Sequence, residues 1–403
     1  MRLWISLFAF AGVIFSAWTA SGSPTTQIPL LHSSSGGPSR NIPAQLFYEL
    51  EELSRIVDIS YCVGTTGIQK PFLCASRCQD FVGFELVTTW NTGPLLADSC
   101  GYIAVSHPPS RPRIVVAFRG TYSVANTIAD LSTLPQEYVP YPGDDEDETS
   151  DVPYKDQHPR AQRSAKVETS RCDNCTVHAG FMISWKHTRP HVTPQLEELV
   201  KQYPGYQLTL VGHSLGGAVA ALASLDYKSR GWNPQVTTFG EPRIGNLALM
   251  HYMDRAFVSE DAQHFKSMYR RVTHVDDPVP LLPLKEWGYR MHAGEIFISK
   301  PDLSPSVADL QYCIGDEDPH CIAAADPASP QSAEKLEGGE LAERELREWW
   351  NADQSKWAVP SRYRIWQLLF AHRDYFWRLG LCLPGGDPTD WYREHPLFDD
   401  GMD

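Results

Sequence analysis

Leu208 to Leu222 reads LTLVGHSLGGAVAAL, and this stretch restricts the fold more tightly than any other. Leu208 to Val211 form a short β-prone run. Gly212-His213-Ser214-Leu215-Gly216 follows, and an Ala-rich helical run starts at Ala218. Strand, G-x-S-x-G and helix in that order is the context of a nucleophile elbow. A Ser on such a turn sits in sharply bent backbone. Gly212 and Gly216 lack Cβ atoms, so strand and helix can close around it. The turn lifts the Ser214 hydroxyl above a sheet edge. It also aims the Leu215 backbone N–H, at the helix start, toward the place where a negative oxygen would form.

Elements of the same two kinds alternate along the rest of the chain. Leu46, Leu50, Leu53, Ile56 and Val57 recur at helical steps. Gly101 to Val105 and Ile114 to Phe118 read as strands, and Arg119-Gly120-Thr121 leaves the second. Tyr122 to Leu134 has the spacing of a short amphipathic helix. Val236 to Phe239 is a predicted strand ending in Gly240-Glu241-Pro242-Arg243, and a helix is predicted for Leu247 to Phe257. Tyr269 to Val275 and Glu295 to Ser299 read as strands, and Glu343 to Trp350 and Arg362 to Phe370 as helices. The alternation predicts an α/β fold with a mostly parallel sheet flanked by helices.

Composition removes several classes of function. The 403-residue chain carries a net charge of −14, without the basic patch that nucleic-acid binders show. Residues 1–22 read as a secretory signal: Arg2, then an apolar run too short to span a bilayer, then small residues. No other stretch is apolar and long enough for a transmembrane segment. Residues 23–42 read as a disordered linker rich in Ser, Gly, Pro and Thr. An acidic run followed by a basic one makes 142–171 a flexible insertion in the domain expected over 43–383. Nine cysteines fit an oxidising compartment. Their spacing suggests the local pairs Cys74–Cys78, Cys172–Cys175 and Cys313–Cys321, and the odd count leaves at least one thiol over. Cys172 to Cys175 could be half a zinc site, but no second C-x-x-C completes it, so no metal is expected. Asn174 heads an N-glycosylation sequon.

A Ser hydroxyl is a weak nucleophile at neutral pH and needs a His to take its proton and a carboxylate to orient that His. Asp277 follows the strand Tyr269 to Val275 and fits the acid; Asp276 competes one position earlier. His372, ahead of a C-terminal aromatic run, fits the base, with His292 and His320 as rivals by position. The order Ser, acid, His is that of the α/β hydrolases.

Several stretches together resemble the secreted fungal class-3 lipases and the feruloyl esterases that share their fold. They are VVAFRGT at 115–121, VHAGF at 177–181, LTLVGHSLGG at 208–217, FGEPRIGN at 239–246, RVTHVDDPVPLLP at 271–283 and AHRDYFWRLGLCL at 371–383. The resemblance implies an α/β hydrolase fold and a Ser214, Asp277, His372 triad that needs no cofactor. It makes His292 structural. It implies an oxyanion hole from the backbone N–H groups of Leu215 and Thr121, and a short helical lid starting at Tyr122. It further implies a long Cys62–Cys382 bridge and leaves Cys100 as the free thiol. The chain departs from the family pattern in the 142–171 insertion, in an expanded loop over 315–350 and in an acidic tail over 384–403.

Lipase and feruloyl esterase differ chiefly at the lid. In the lid expected from Tyr122 to about Leu131, Val124, Ala125, Ile128, Ala129 and Leu131 supply a modest apolar face, which favours a lipase acting on triacylglycerol at a lipid–water interface. FGEPR and the CIGDEDPHC segment lean toward a feruloyl esterase releasing hydroxycinnamic acids. An inactive relative serving as a binding protein is the alternative outside enzymes.

Overall fold

The alternating apolar residues of eight segments assemble one central sheet. The computed structural model describes residues 40–93, 99–121, 131, 138–140, 172–257, 268–326 and 371–383. The strands of the central sheet are β1 (Phe84–Asn91), β2 (Cys100–Ser106), β3 (Arg113–Arg119), β4 (Gln207–His213), β5 (Gln235–Phe239), β6 (Tyr269–His274), β7 (Glu295–Ile298) and β8 (Leu310–Tyr312). They lie side by side in chain order. β3 to β7 are parallel to one another. β1, β2 and β8 add antiparallel margins. The sheet is therefore mixed and mostly parallel, as the alternating pattern predicts.

Strand periodicity gives the sheet two apolar faces. Ile114, Val116 and Phe118 of β3 enter one core, and Val115 and Ala117 enter the other. The first core is covered by helices α2 (Ala179–Gln202), α3 (Leu215–Ser229) and α4 (Leu247–Phe257). The second is covered by α1 (Ala44–Ile59), whose Leu46, Leu50, Leu53, Ile56 and Val57 are buried at the predicted steps. Full burial of each large side chain such as Phe118 contributes about 1.5–3 kcal/mol. Among the described residues no helix is long and apolar enough to cross a membrane.

Register brings the carboxyl ends of the parallel strands to one edge. Phe118 pairs with Gly212, His213 with Phe239, and Phe239 with Val272. The segments leaving β3, β4, β5 and β6 therefore start at one level, where open α/β sheets place their sites.

Some elements differ from the sequence-based expectation. β1 is not evident in the sequence because a bulge between Leu86 and Thr88 breaks its alternation. β8 is three residues long, too short for a periodic signal. The end of the expected 23–42 linker is structured: Asn41 bridges Gln311, Tyr312 N donates to Arg40 O at 2.7 Å, and Ile42 is buried. The predicted signal, the insertion over 142–171, the helices over 343–350 and 362–370, most of the expanded loop and the tail over 384–403 lie outside the described residues. So does the predicted lid, except Leu131, which is packed in the first core.

Four disulfides close the chain: Cys62–Cys382, Cys74–Cys78, Cys172–Cys175 and Cys313–Cys321. Cys100 is buried and belongs to none of these bridges; its thiol donates to Asn91 Oδ1 at 3.0 Å. The first bridge spans 320 positions and ties the 371–383 segment to the end of α1. Cross-linking ends so far apart mainly restricts the unfolded chain. Replacing both Cys62 and Cys382 by Ser is expected to lower stability by about 3–5 kcal/mol in guanidinium unfolding.

Candidate active site

The elbow forms where β4 passes into α3. Ser214 sits at φ 56° and ψ −130°, a region that L-residues occupy only under constraint. Its N–H donates to Phe239 O at 3.0 Å, and Gly217 N donates to Ser214 O at 2.8 Å. Both motif glycines are required by close approach. A Cβ on Gly216 would lie 2.3 Å from Phe118 O, and one on Gly212 would lie 2.2 Å from Gly216 O. Leu215 opens α3, so its N–H has no acceptor within the helix and faces out of the helix end.

Asp277 follows β6 and is almost fully buried, yet its carboxylate is well satisfied. His372 Nδ1–H donates to it at 2.9 Å, Val279 N donates at 2.9 Å, and the Tyr375 hydroxyl donates to Oδ2. Burial pushes the carboxyl up, but His372 and these donors outweigh burial and hold it below the usual carboxylate range. A proton on His372 Nδ1 leaves Nε2 as the basic nitrogen. That Nε2 and the Ser214 Oγ are both buried, and neither has a hydrogen-bond partner among the described residues. No hydrogen bond joins the two here. Catalytic hydrogen bonds are often long or poorly aligned in unliganded sites.

The 371–383 segment is held by the aromatic run that marks it in the sequence. Tyr375, Phe376 and Leu379 are buried in the second core. Trp377 Nε1 donates to Glu51 of α1 at 2.6 Å, and the Arg77 guanidinium stacks over its ring at 4.1 Å. Gly240, at the end of β5 with φ 60°, lets Asp277 and His372 come together. A Cβ there would lie 2.8 Å from Asp277 Oδ2 and from His372 Cε1.

The corner after β3 lies against the elbow. A Cβ on Gly120 would sit 2.8 Å from Ser214 Cβ. Arg119 clamps the corner, donating through Nε to Gly120 O at 3.1 Å and through Nη1 to Val63 O at 2.6 Å. Thr121, the next residue, is half-buried.

The rivals lie elsewhere. Asp276 is exposed beside the buried Asp277, and His320 is exposed. His292 is buried, with Nε2 3.1 Å from Glu241, whose carboxylate also accepts from Thr238 at 2.6 Å and Tyr269 at 2.7 Å. Glu241 of the FGEPR motif thus serves an internal network. Arg243 of the same motif donates to Leu281 O and to Pro283 O, bracing the chain beyond Asp277. Asn174 lies at φ 58° in the turn closed by Cys172–Cys175, and its carbonyl accepts from Asn246 at 2.8 Å. Glu295, Cys313 and Cys321 have metal-site proximity, but the two sulfurs are joined to each other and are not thiolate ligands.

Sequence reasoning missed Tyr61, Gly240, Tyr375 and the part played by His213. Tyr375 and His213 stand inside recognised motifs, where their buried contacts leave no sequence signal. Tyr61 lies just past α1 with no motif around it.

Beneath the site, Asp58 accepts from Gly380 N at 2.9 Å and Ser76 Oγ at 3.0 Å, which fastens the 371–383 segment to α1. Burial pushes its carboxyl up to about 6, against the pull of these donors and of Arg77 and Arg373. The folded state therefore holds this proton more tightly than the unfolded chain. The resulting stability is complete below the unfolded value of 3.8 and is lost as pH rises through about 6. Asp58→Asn keeps an oxygen for Gly380 N. In melts it is expected to match the parent near pH 4 and to exceed it by about 2 kcal/mol near pH 8.

Residues 115–287 match the family model described as Lipase (class 3). The chain is 50% identical to the secreted mono- and diacylglycerol lipase 2 of Gibberella zeae, over 96% of this chain and 95% of that protein. It is also 50% identical to lipase A of Sodiomyces alcalophilus, over 92% and 89% of the two chains. Among solved structures, Lip2 lipase from Yarrowia lipolytica superposes with a TM-score of 0.64 at 27% identity, covering 86% of this chain and 99% of that one. The chain belongs to the class-3 lipase family, and so to the serine ester hydrolases of the α/β hydrolase fold. It is a secreted lipase.

Proposed function

We propose that this lipase hydrolyses acylglycerol esters through an acyl-enzyme, with Ser214 as nucleophile, His372 as base and Asp277 as the acid that orients it. The observation carrying this reading is the imidazole of His372. Asp277 fixes its tautomer with Nε2 unprotonated, at the edge where the elbow lifts Ser214. Ser214 Oγ attacks the ester carbonyl as Nε2 takes its proton, and Asp277 stabilises the imidazolium. The N–H groups of Leu215 and Thr121 receive the oxyanion, each worth about 3 kcal/mol in the transition state. His372 returns the proton to the leaving alcohol, and water activated by the same Nε2 releases the acid. No step requires a cofactor.

The apolar segment Tyr122 to Leu131 supports a triacylglycerol substrate at a lipid surface. The Gibberella zeae relative is named for mono- and diacylglycerols, so partial glycerides belong in the same test. Purified enzyme is expected to release fatty acid from emulsified acylglycerols faster than ferulate from methyl ferulate. Rapid cleavage of methyl ferulate with acylglycerols left intact would reverse the assignment.

A further inference from the structure

Ser214 Oγ and His372 Nε2 must work as a pair, yet no bond joins them here. Their relative position is set by something else. The residue that touches both partners is His213. It is peptide-bonded to Ser214, and its ring stacks on the His372 ring at 4.7 Å and 29°. Its Nε2 lies 2.8 Å from the His372 carbonyl oxygen, and its Nδ1 is hydrogen-bonded to the Tyr61 hydroxyl.

These contacts have only one consistent direction. A carbonyl can only accept, so His213 Nε2 carries the proton. Neutral His213 then offers Nδ1 as an acceptor, and the Tyr61 hydroxyl donates to it. Burial above all, with the nearby His372, lowers His213 to about 3, so the ring is uncharged wherever a lipase works. A neutral ring also places no like charge beneath the imidazolium that forms on His372. Burial pushes Tyr61 up, so its hydroxyl keeps the proton it donates. The same hydroxyl meets the corner after β3, where a Cβ on Gly120 would lie 2.6 Å from its oxygen.

We propose that Tyr61 and His213 are positioning residues for the ester hydrolysis. Their directed hydrogen-bond chain holds the backbone of His372, and the elbow carrying Ser214, in one fixed relation to the Gly120–Thr121 corner. The proposal rests on the assignment of Ser214 and His372 made above. It goes further in assigning a task to two residues that touch no substrate.

The test uses the full chain, a soluble p-nitrophenyl ester and titration of reactive sites with a p-nitrophenyl phosphonate. Tyr61→Phe removes the hydroxyl alone, His213→Leu removes the whole link, and His213→Gln restores an N–H that can reach the His372 carbonyl. Per titrated site, kcat is expected to fall about 10- to 100-fold in Tyr61→Phe and His213→Leu, with KM within about threefold of the parent. His213→Gln is expected to recover about tenfold of that loss. Unchanged kcat per titrated site in Tyr61→Phe overturns the proposal, as does a rise in KM with kcat intact. If His213→Leu does not fold, Tyr61→Phe decides. Activity retained by Ser214→Ala instead overturns the nucleophile assignment, and the proposal with it, so the two failures are told apart.

Discussion

Ser214→Ala is expected to lower kcat on any ester by about 10⁴- to 10⁶-fold while leaving the fold intact. No other hydroxyl stands on the elbow, and the neighbouring His213 is already committed to Tyr61 and to the His372 carbonyl. The residual rate is expected from the proposed oxyanion donors and substrate binding, which the substitution does not touch. Stability is expected to rise, not fall. The Ser214 hydroxyl is buried without a partner among the described residues, and deleting such a group relieves about 1 kcal/mol or more of desolvation cost. The φ of 56° remains, because it belongs to the turn and not to the side chain. A variant that is inactive yet melts higher than the parent is the signature of a residue kept for chemistry. Full hydrolysis by the variant would end the proposed mechanism.

Asp277→Asn is expected to reduce kcat about 10⁴-fold. The native carboxylate accepts from His372 Nδ1–H, from Val279 N and from the Tyr375 hydroxyl. An amide has one acceptor oxygen; with it turned to Val279 N, which can only donate, the NH2 takes the other position, beside His372 Nδ1 and the Tyr375 hydroxyl. Where that NH2 donates to His372, the ring must offer Nδ1 as an acceptor. The imidazole proton moves to Nε2, where it faces Ser214 and cannot take up another. Measured kcat should fall with little change in KM, because the lost interaction is made in the transition state. A variant within tenfold of the parent would show that Asp277 does not orient the base.

Asp277 and Asp58, both buried, respond to pH with opposite sign. Asp277 is held below 3.8 in the folded state, so its contribution is present above that value and lost as pH falls through the folded pKa. Asp58 is raised to about 6, so its contribution is lost as pH rises. The first carboxylate has three donors around it and the second lacks donors enough to offset its burial. This difference is invisible in a sequence where both read simply as Asp.

Much of the proposed site can be read from the sequence because its demands are local. An elbow needs a small residue on each side of the nucleophile within five positions, and the structure shows why: Gly216 has Phe118 O where a side chain would go. The proposed acid and base stand out from their rivals in the sequence only through family motifs. Asp276 and Asp277 are chemically equal in sequence, and burial beside His372 separates them. His292 was separated from His372 in the same way, by its engagement with Glu241. β1 and β8 were not legible, since a bulge and a three-residue length leave no periodicity.

What the sequence by itself determined is the chemistry available: a Ser on a forced turn, an acid after a strand, and a His followed by aromatic residues able to anchor it. Backbone sterics and apolar periodicity act over a few residues, so a reader of the chain can follow them. Only the tertiary structure decided which groups share a proton and in which direction. The groups are up to 159 positions apart, from His213 to His372, and the direction follows from carbonyls that only accept and a buried carboxylate that must be donated to. Those are long-range constraints, and they exist only once the sheet has brought its strand ends to one edge.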